Sequence, residues 1–350
     1  MDILLDDLPY KNSLYPFTAL RSLVHIRIGI LTILEKWQLA FPGKILFSSN
    51  WKSGDPVSAL LKIPANCIPS HKLIQEIQSG NYPEISPINS KELLYPWQVF
   101  QWNDWAIRED IIALTAEKKF APIPASNKAI CPENIFIEEG AKVEYSILNG
   151  EHGPIYIGKN AQVMEGCLIR GPFAACDGSV LKMGTRVYGA TTLGPHCIGG
   201  GEIKNSVLMG YSNKSHDGYL GDSVLGYWCN LGAGTSNSNL KNTAGIVNVW
   251  DHAKENFVPA GTKCGLLMGD YSRCAINTSF NTGTVAGICC NIFGNSFPAK
   301  YIHDFTWGNE TYKLDKALSD IDKWKQLKAE KLTVEEADLL KNYYELKRLS

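Results

Sequence analysis

The 350-residue chain has no apolar run approaching the roughly 20 residues that a bilayer span requires, so it carries no membrane helix on sequence grounds. It lacks a charge excess of either sign. With 34 Lys and Arg against 35 Asp and Glu, there is no electrostatic case for nucleic acid or a membrane surface as partner. The opening MDILLDDLPYKN has no basic segment ahead of an apolar stretch, and no signal peptide is expected. Ten cysteines are present but no CxxC pair, and the adjacent Cys289 and Cys290 are poorly placed to share a bridge or a zinc. The expectation is reduced, structural cysteines in a cytoplasmic protein, with no metal site.

What the sequence does contain is a period. Stepping by six from Ile157 meets Val163, Ile169, Ala175, Leu181, Val187 and Leu193. Four places after these come mostly small residues: Ala161, Cys167, Ser179, Thr185, Thr191 and Cys197, with Phe173 the exception. A second series runs Met268, Cys274, Phe280, Ala286, Ile292. Period six fits neither an α-helix nor a two-faced strand. It fits short strands that turn a corner every hexad, three hexads closing one coil of a triangular parallel β-helix. The apolar residue points into the prism and the small one fits the corner. Stacked coils bury one another, so the ends need covers.

Between Leu193 and the next clear pair, Leu225 and Leu231, the register is lost, and NTAGIVNVWDHAKENFVPAGTK separates the two series. Loops leave a solenoid at such breaks and carry chemistry more often than coils do. From Thr311 onward the sequence predicts two amphipathic helices beginning near Tyr312 and Thr333, able to cap or brace the last coil. The first part reads as α/β: DILLDD and GKILFSS as buried strands, IRIGILTILEKWQLAF and SHKLIQEIQSG as helices. The expected organisation is an α/β domain over 1–125, a β-helix over 126–310 and a helical tail over 311–350.

His216 lies in the first break, in KSHDGYLGD. An isolated loop histidine is about as often merely solvated as functional, but its company is suggestive. Lys204 lies two hexads before it and Arg186 three hexads before Lys204. A regular coil would stack the two cations about 4.8 Å apart, with a phosphate as natural occupant between them. Asn230 and Asn239 flank LGAGTSNS and serve equally as corner residues or as amide donors. A phosphate clamp, a titratable imidazole and amide donors suggest transfer to a phosphorylated, hydroxylated substrate with His216 as general base.

The stretch from Arg186 to Asn239, including SHDGYLGD and NLGAGT, resembles without a gap the acetyltransferase half of the bifunctional glucosamine-1-phosphate acetyltransferase / N-acetylglucosamine-1-phosphate uridyltransferase family. The resemblance implies that His216 is the catalytic base and that Arg186 and Lys204 hold the sugar phosphate. By the same resemblance Tyr219, Asn230 and Asn239 contact the amino sugar, and Ala233 contacts acetyl-CoA. It further implies a left-handed β-helix and a homotrimer with sites between subunits. After Asn239 stands Leu240 where the family has tyrosine, and SNSNLKN replaces the family's TCNYDG.

LYPFTALRSL echoes the sugar nucleotidyltransferases, although LLDDLPYKNS stands where their Gly-rich phosphate loop would be. The whole chain looks most like the sugar nucleotidyltransferase family that joins a shortened domain of this kind to a hexapeptide β-helix. Three functions are therefore expected to compete. The first is acetyl transfer from acetyl-CoA to an amino-sugar phosphate. The second is sugar-1-phosphate nucleotidyl transfer in the N-terminal domain with Mg²⁺ held by Asp6, Asp7 or Asp104. The third is a non-catalytic sugar-nucleotide binder.

Overall fold

The structure is a computed structural model that describes residues 2–41, 43, 45–48, 60–81, 89–116 and 118–349. Three sheets of nine, ten and six strands, parallel except for one antiparallel strand at the end of the ten-stranded one, form the walls of a triangular β-helix. All seven members of the first apolar series point into it and are at most 2% exposed. The second series is at most 5% exposed, and the six small corner residues are fully buried. Each inward Val, Leu or Ile stabilises the stack by about 1.5–3 kcal/mol.

The break after Leu193 resolves into two irregular coils. Leu193 pairs with Leu208, and Leu208 with Leu225. The first of these coils is therefore short, and the glycines at 199–201 are where it loses residues. Gly201 takes φ +70°, a conformation that L side chains rarely adopt. The second interruption is an excursion from Asn239 to Cys264, closed at its neck by the Cys264 N–H donating to the Asn239 carbonyl at 3.0 Å. It carries an antiparallel hairpin, Asn248–Asp251 with Asn256–Pro259.

The N-terminal region is built on a parallel sheet of β1 (Asp2–Asp6), β2 (Ile45–Phe47) and β3 (Leu60–Pro64), in the order β2-β1-β3. β2 is half-buried rather than buried as expected, and Lys44 and Ser49 of its sequence motif lie outside the described residues. The helix expected across 26–41 forms only as α1 (Ile33–Ala40). Gly29 at φ +77° stops a helix from starting earlier, and a capping box between Thr32 and Glu35 starts it here. α2 (His71–Gln78) begins at its Ser70 cap as the sequence indicates. α3 (Gln98–Gln101) and α4 (Asn103–Thr115) lead toward the β-helix.

This region shares a core with the solenoid. Ile26, Phe17 and Trp97 cluster with Val207, Leu267 and Val285 of the coils and with Val247 and Val249 of the hairpin segment. Buried Asn103 bonds the Ala190 carbonyl and the Thr192 hydroxyl across the junction. The hairpin adds Lys254 to Tyr95 at 2.9 Å and a ring stack of His252 on Tyr15 at 4.2 Å.

The tail forms α5 (Leu314–Gln326) and α6 (Val334–Leu349). α5 braces the side of the solenoid across several coils rather than covering its end. One corner stacks His196, Tyr211 and Trp228, with centroids 4.9 and 4.3 Å apart. Trp324 covers Arg273, Lys325 reaches over Trp228, and Lys328 just beyond α5 donates to the His196 carbonyl. No described helix is long and apolar enough to cross a membrane.

Candidate active site

His216 sits in the corner between the strand Asn213–Lys214 of the ten-stranded wall and the strand Tyr219–Gly221 of the six-stranded wall. It is exposed, and among the described residues its imidazole has no hydrogen-bond partner. Its corner rests on the glycine turn below. The Gly201 carbonyl accepts the Arg186 N–H at 2.9 Å, and the Gly218 carbonyl accepts the Glu202 N–H at 3.2 Å. Ala233 occupies the same position one coil on: Asn213 pairs with Asn230, and the Gly234 N–H donates to the Asp217 carbonyl at 3.0 Å.

The six-stranded wall presents a column of outward residues running Lys128, Ile147, Leu168, Arg186, Glu202 and Tyr219. Beside it stand Tyr188, Lys204 and Gly221. The expected stacking of Arg186 on Lys204 does not occur. Arg186 is paired with Glu202, and Lys204 with Tyr188, because the shortened glycine corner moves the register by two residues. Both cations remain on one face, as diagonal neighbours, and a carboxylate stands where a phosphate was expected. Glu202 pairs with the half-exposed Arg186 at 3.8 Å and accepts the Tyr188 hydroxyl at 2.5 Å. That hydrogen bond holds the Tyr188 phenol above its usual pKa. The Lys204 ammonium lies 5.5 Å from the Tyr188 ring centre.

Tyr219 and Asn239 are brought together. The Asn239 amide donates to the Tyr219 hydroxyl at 3.2 Å and to a carboxylate oxygen of Asp222. Burial, with Asp222 nearby, raises the Tyr219 pKa. Asp222 is itself buried in a left-handed conformation (φ +47°) and takes the Asn205 amide at 2.6 Å. Sequence reasoning missed Glu202 and Asp222. The first was hidden by the assumption of an eighteen-residue coil, and nothing in the local sequence singled out the second.

Asn230 is not on this face. It lies on the ten-stranded wall, accepting from the Asn213 amide at 3.3 Å, with Arg273 next in register. Within one chain it therefore faces away from Arg186 and Lys204. Further down the six-stranded wall, Ile130, Ile147 and Leu168 are 39–48% exposed and line a cavity of about 490 Å³ that ends at Arg186 and Tyr188.

The N-terminal region has its own cavity of about 460 Å³, bordered by Asp7, Lys11, Arg21, Ser22 and Phe47. Its groups are largely committed. Arg21 pairs with Asp270 and stacks on Tyr227, and Asp7 accepts the Ser22 hydroxyl. Asp6 bonds Lys62 at 2.7 Å and Ser48 at 2.8 Å, and the Lys62 bond lowers its pKa. Asp104 pairs with Arg108 on the exposed face of α4. Among the described residues no three His, Cys, Asp or Glu side chains gather as a metal requires. Of the carboxylates expected to hold Mg²⁺, Asp6, Asp7 and Asp104 each bond a neighbouring side chain. All ten cysteines are free, and nine are buried.

Residues 3–86 match the family model described as sugar nucleotidyl transferase. Among curated proteins, the Bifunctional protein GlmU of Methanocaldococcus jannaschii is 32% identical over 117 residues, 33% of this chain and 28% of that one. That of Methanococcus aeolicus is 36% identical over 88 residues, 25% of this chain and 20% of the relative. That of Cyanothece sp. is 27% identical over 188 residues, 47% of this chain and 38% of the relative. The chain therefore spans from a fifth to under two fifths of these relatives' length. A solved structure of UDP-N-acetylglucosamine acyltransferase aligns over 50% of this chain and 65% of that one, at 11% identity and a TM-score of 0.23.

Proposed function

We propose that the His216 corner catalyses acyl transfer, with acetyl-CoA as donor and the amine of an amino-sugar phosphate as acceptor. The observation that carries this reading is the placement of an exposed imidazole, without a hydrogen-bond partner among the described residues, at the rim of the face bearing Arg186, Lys204, Tyr219 and Asn239. In this reading His216 takes the proton from the attacking amine as the N–C bond forms. The C–S bond of the thioester then breaks, and the CoA thiolate leaves with a proton.

Arg186 and Lys204 hold the phosphate, which requires Arg186 to leave Glu202 for the ligand. Glu202 is then free to accept from a sugar hydroxyl or ammonium group. Tyr219 and Asn239 orient the sugar, and Ala233, one coil above the base, borders the donor. Because Asn230 faces another wall, it joins the site only from a second copy of the chain. This fits a homotrimer in which the apolar strip Ile130, Ile147 and Leu168 is covered. Reduced, buried cysteines fit a cytoplasmic protein.

Consumption of acetyl-CoA with a panel of amino-sugar phosphates tests the assignment. His216→Ala is expected to lower kcat by about 10²–10⁴-fold, and unchanged turnover would remove the base.

The family-model match over residues 3–86 favours a second reading, sugar-1-phosphate nucleotidyl transfer at the N-terminal cavity. Pyrophosphate release from a nucleoside triphosphate and a sugar phosphate would support it.

A further inference from the structure

We propose that Lys214 is a positioning residue that clamps the His216 corner from inside the prism. Its kinetic consequences rest on the acyl-transfer reading above, and its structural consequences do not.

Lys214 occupies an inward position. Leu181 pairs with Gly199 and Gly199 with Lys214, while Asn213 opposite Asn230 sets Lys214 beside Leu231. Above these come Cys274 and Ile292. In this column of apolar and small residues only Lys214 carries a charge, and it is 1% exposed. Its ammonium donates to the Gly200 carbonyl at 3.1 Å and to the His216 carbonyl. Among the described residues no carboxylate is hydrogen-bonded to it, and burial pushes its pKa down to about 8.

Packing alone gives no reason for a lysine here. An apolar residue would fill an inward position without desolvating a cation. What the ammonium does is join two coils at one point. Gly200 belongs to the short coil and His216 to the next, and both carbonyls turn toward the same donor. The Ser215–His216 peptide lies directly on Gly200, where an added Cβ would be 2.3 Å from the Ser215 oxygen. Among the described residues the exposed imidazole has no hydrogen-bond partner, so its placement depends on this backbone clamp.

The test uses the full chain with Lys214→Met, which matches the apolar column, and Lys214→Gln, which retains an N–H donor. Hydrogen exchange over residues 211–222 is read by mass spectrometry beside steady-state kinetics. The expected result for Lys214→Met is at least tenfold faster exchange in this segment, with the rest of the solenoid unchanged. kcat should fall 10–100-fold while KM for acetyl-CoA stays the same. Lys214→Gln should fall between wild type and Lys214→Met in both readouts.

Unchanged exchange over 211–222 in a folded variant overturns the clamp, whatever the kinetics. Should Lys214→Met fail to fold, Lys214→Gln decides by the same criterion. Faster exchange in Lys214→Met, alongside a wild type that transfers no acyl group, would instead keep the clamp and remove the acyl-transfer reading.

Discussion

The closest backbone approach beneath the base is at Gly200, and Gly200→Ala is the sharpest steric perturbation of the site that touches none of its side chains. An alanine Cβ would lie 2.3 Å from the Ser215 oxygen, 2.5 Å from the Ser215 carbonyl carbon and 3.2 Å from the His216 nitrogen. Real Cβ atoms essentially never come within 3.0 Å of such neighbours, so the Ser215–His216 corner must rise by about 0.7 Å or more. The obstacle is main chain and cannot rotate away. Overpacking of this kind costs about 1–3 kcal/mol. A shift approaching 1 Å in a catalytic group can cost on the order of 10²-fold in rate.

The assay pairs chemical denaturation with kcat and KM for acetyl transfer. The expected outcome is a folded variant with a modest stability loss, a kcat lowered 10- to 100-fold and a nearly unchanged KM for the donor. A Gly200→Ala protein as stable and as active as wild type would refute the claim that this corner's height sets the position of the base.

Stability should also respond to pH through Lys214, whose pKa burial lowers to about 8 in the fold from the ordinary lysine value of 10.5. Between these values the unfolded chain binds more protons than the folded one, so stability rises with pH across that window. The rise in wild type relative to Lys214→Met should approach about 3 kcal/mol. A difference between the two that stays flat from pH 8 to 10.5, followed by denaturant titration, would contradict the buried-cation assignment. A separate prediction concerns the buried pair of Lys36 and Asp110, both side chains 4% exposed. Asp110 also accepts the N–H groups of Ile30 and Leu31, so Lys36→Met leaves a partly satisfied buried carboxylate. The expected loss is about 3–5 kcal/mol in urea unfolding.

The β-helix was legible because an inward apolar residue every six positions is a direct consequence of its geometry. The tail helices were legible from amphipathicity, and α2 from the helical look of SHKLIQEIQSG. What the period could not convey was the length of an irregular coil. The spacing from Leu193 to Leu225 hid a short coil followed by a longer one, and the error passed straight into the Arg186–Lys204 register. Lys214 was illegible for a related reason: without the correct register, nothing marked it as inward. The start of α1 was misplaced because the apolar stretch from Ile26 to Leu31 was read as one helix with the residues that follow, whereas Gly29 and the Asp110 carboxylate hold that segment in a turn.

A structure with an amino-sugar phosphate bound tests the central claim most directly. The account predicts the phosphate within hydrogen-bond distance of Arg186 and Lys204, Arg186 released from Glu202, and the amine facing His216. A ligand seated away from this wall, with the Arg186–Glu202 pair intact, would contradict it.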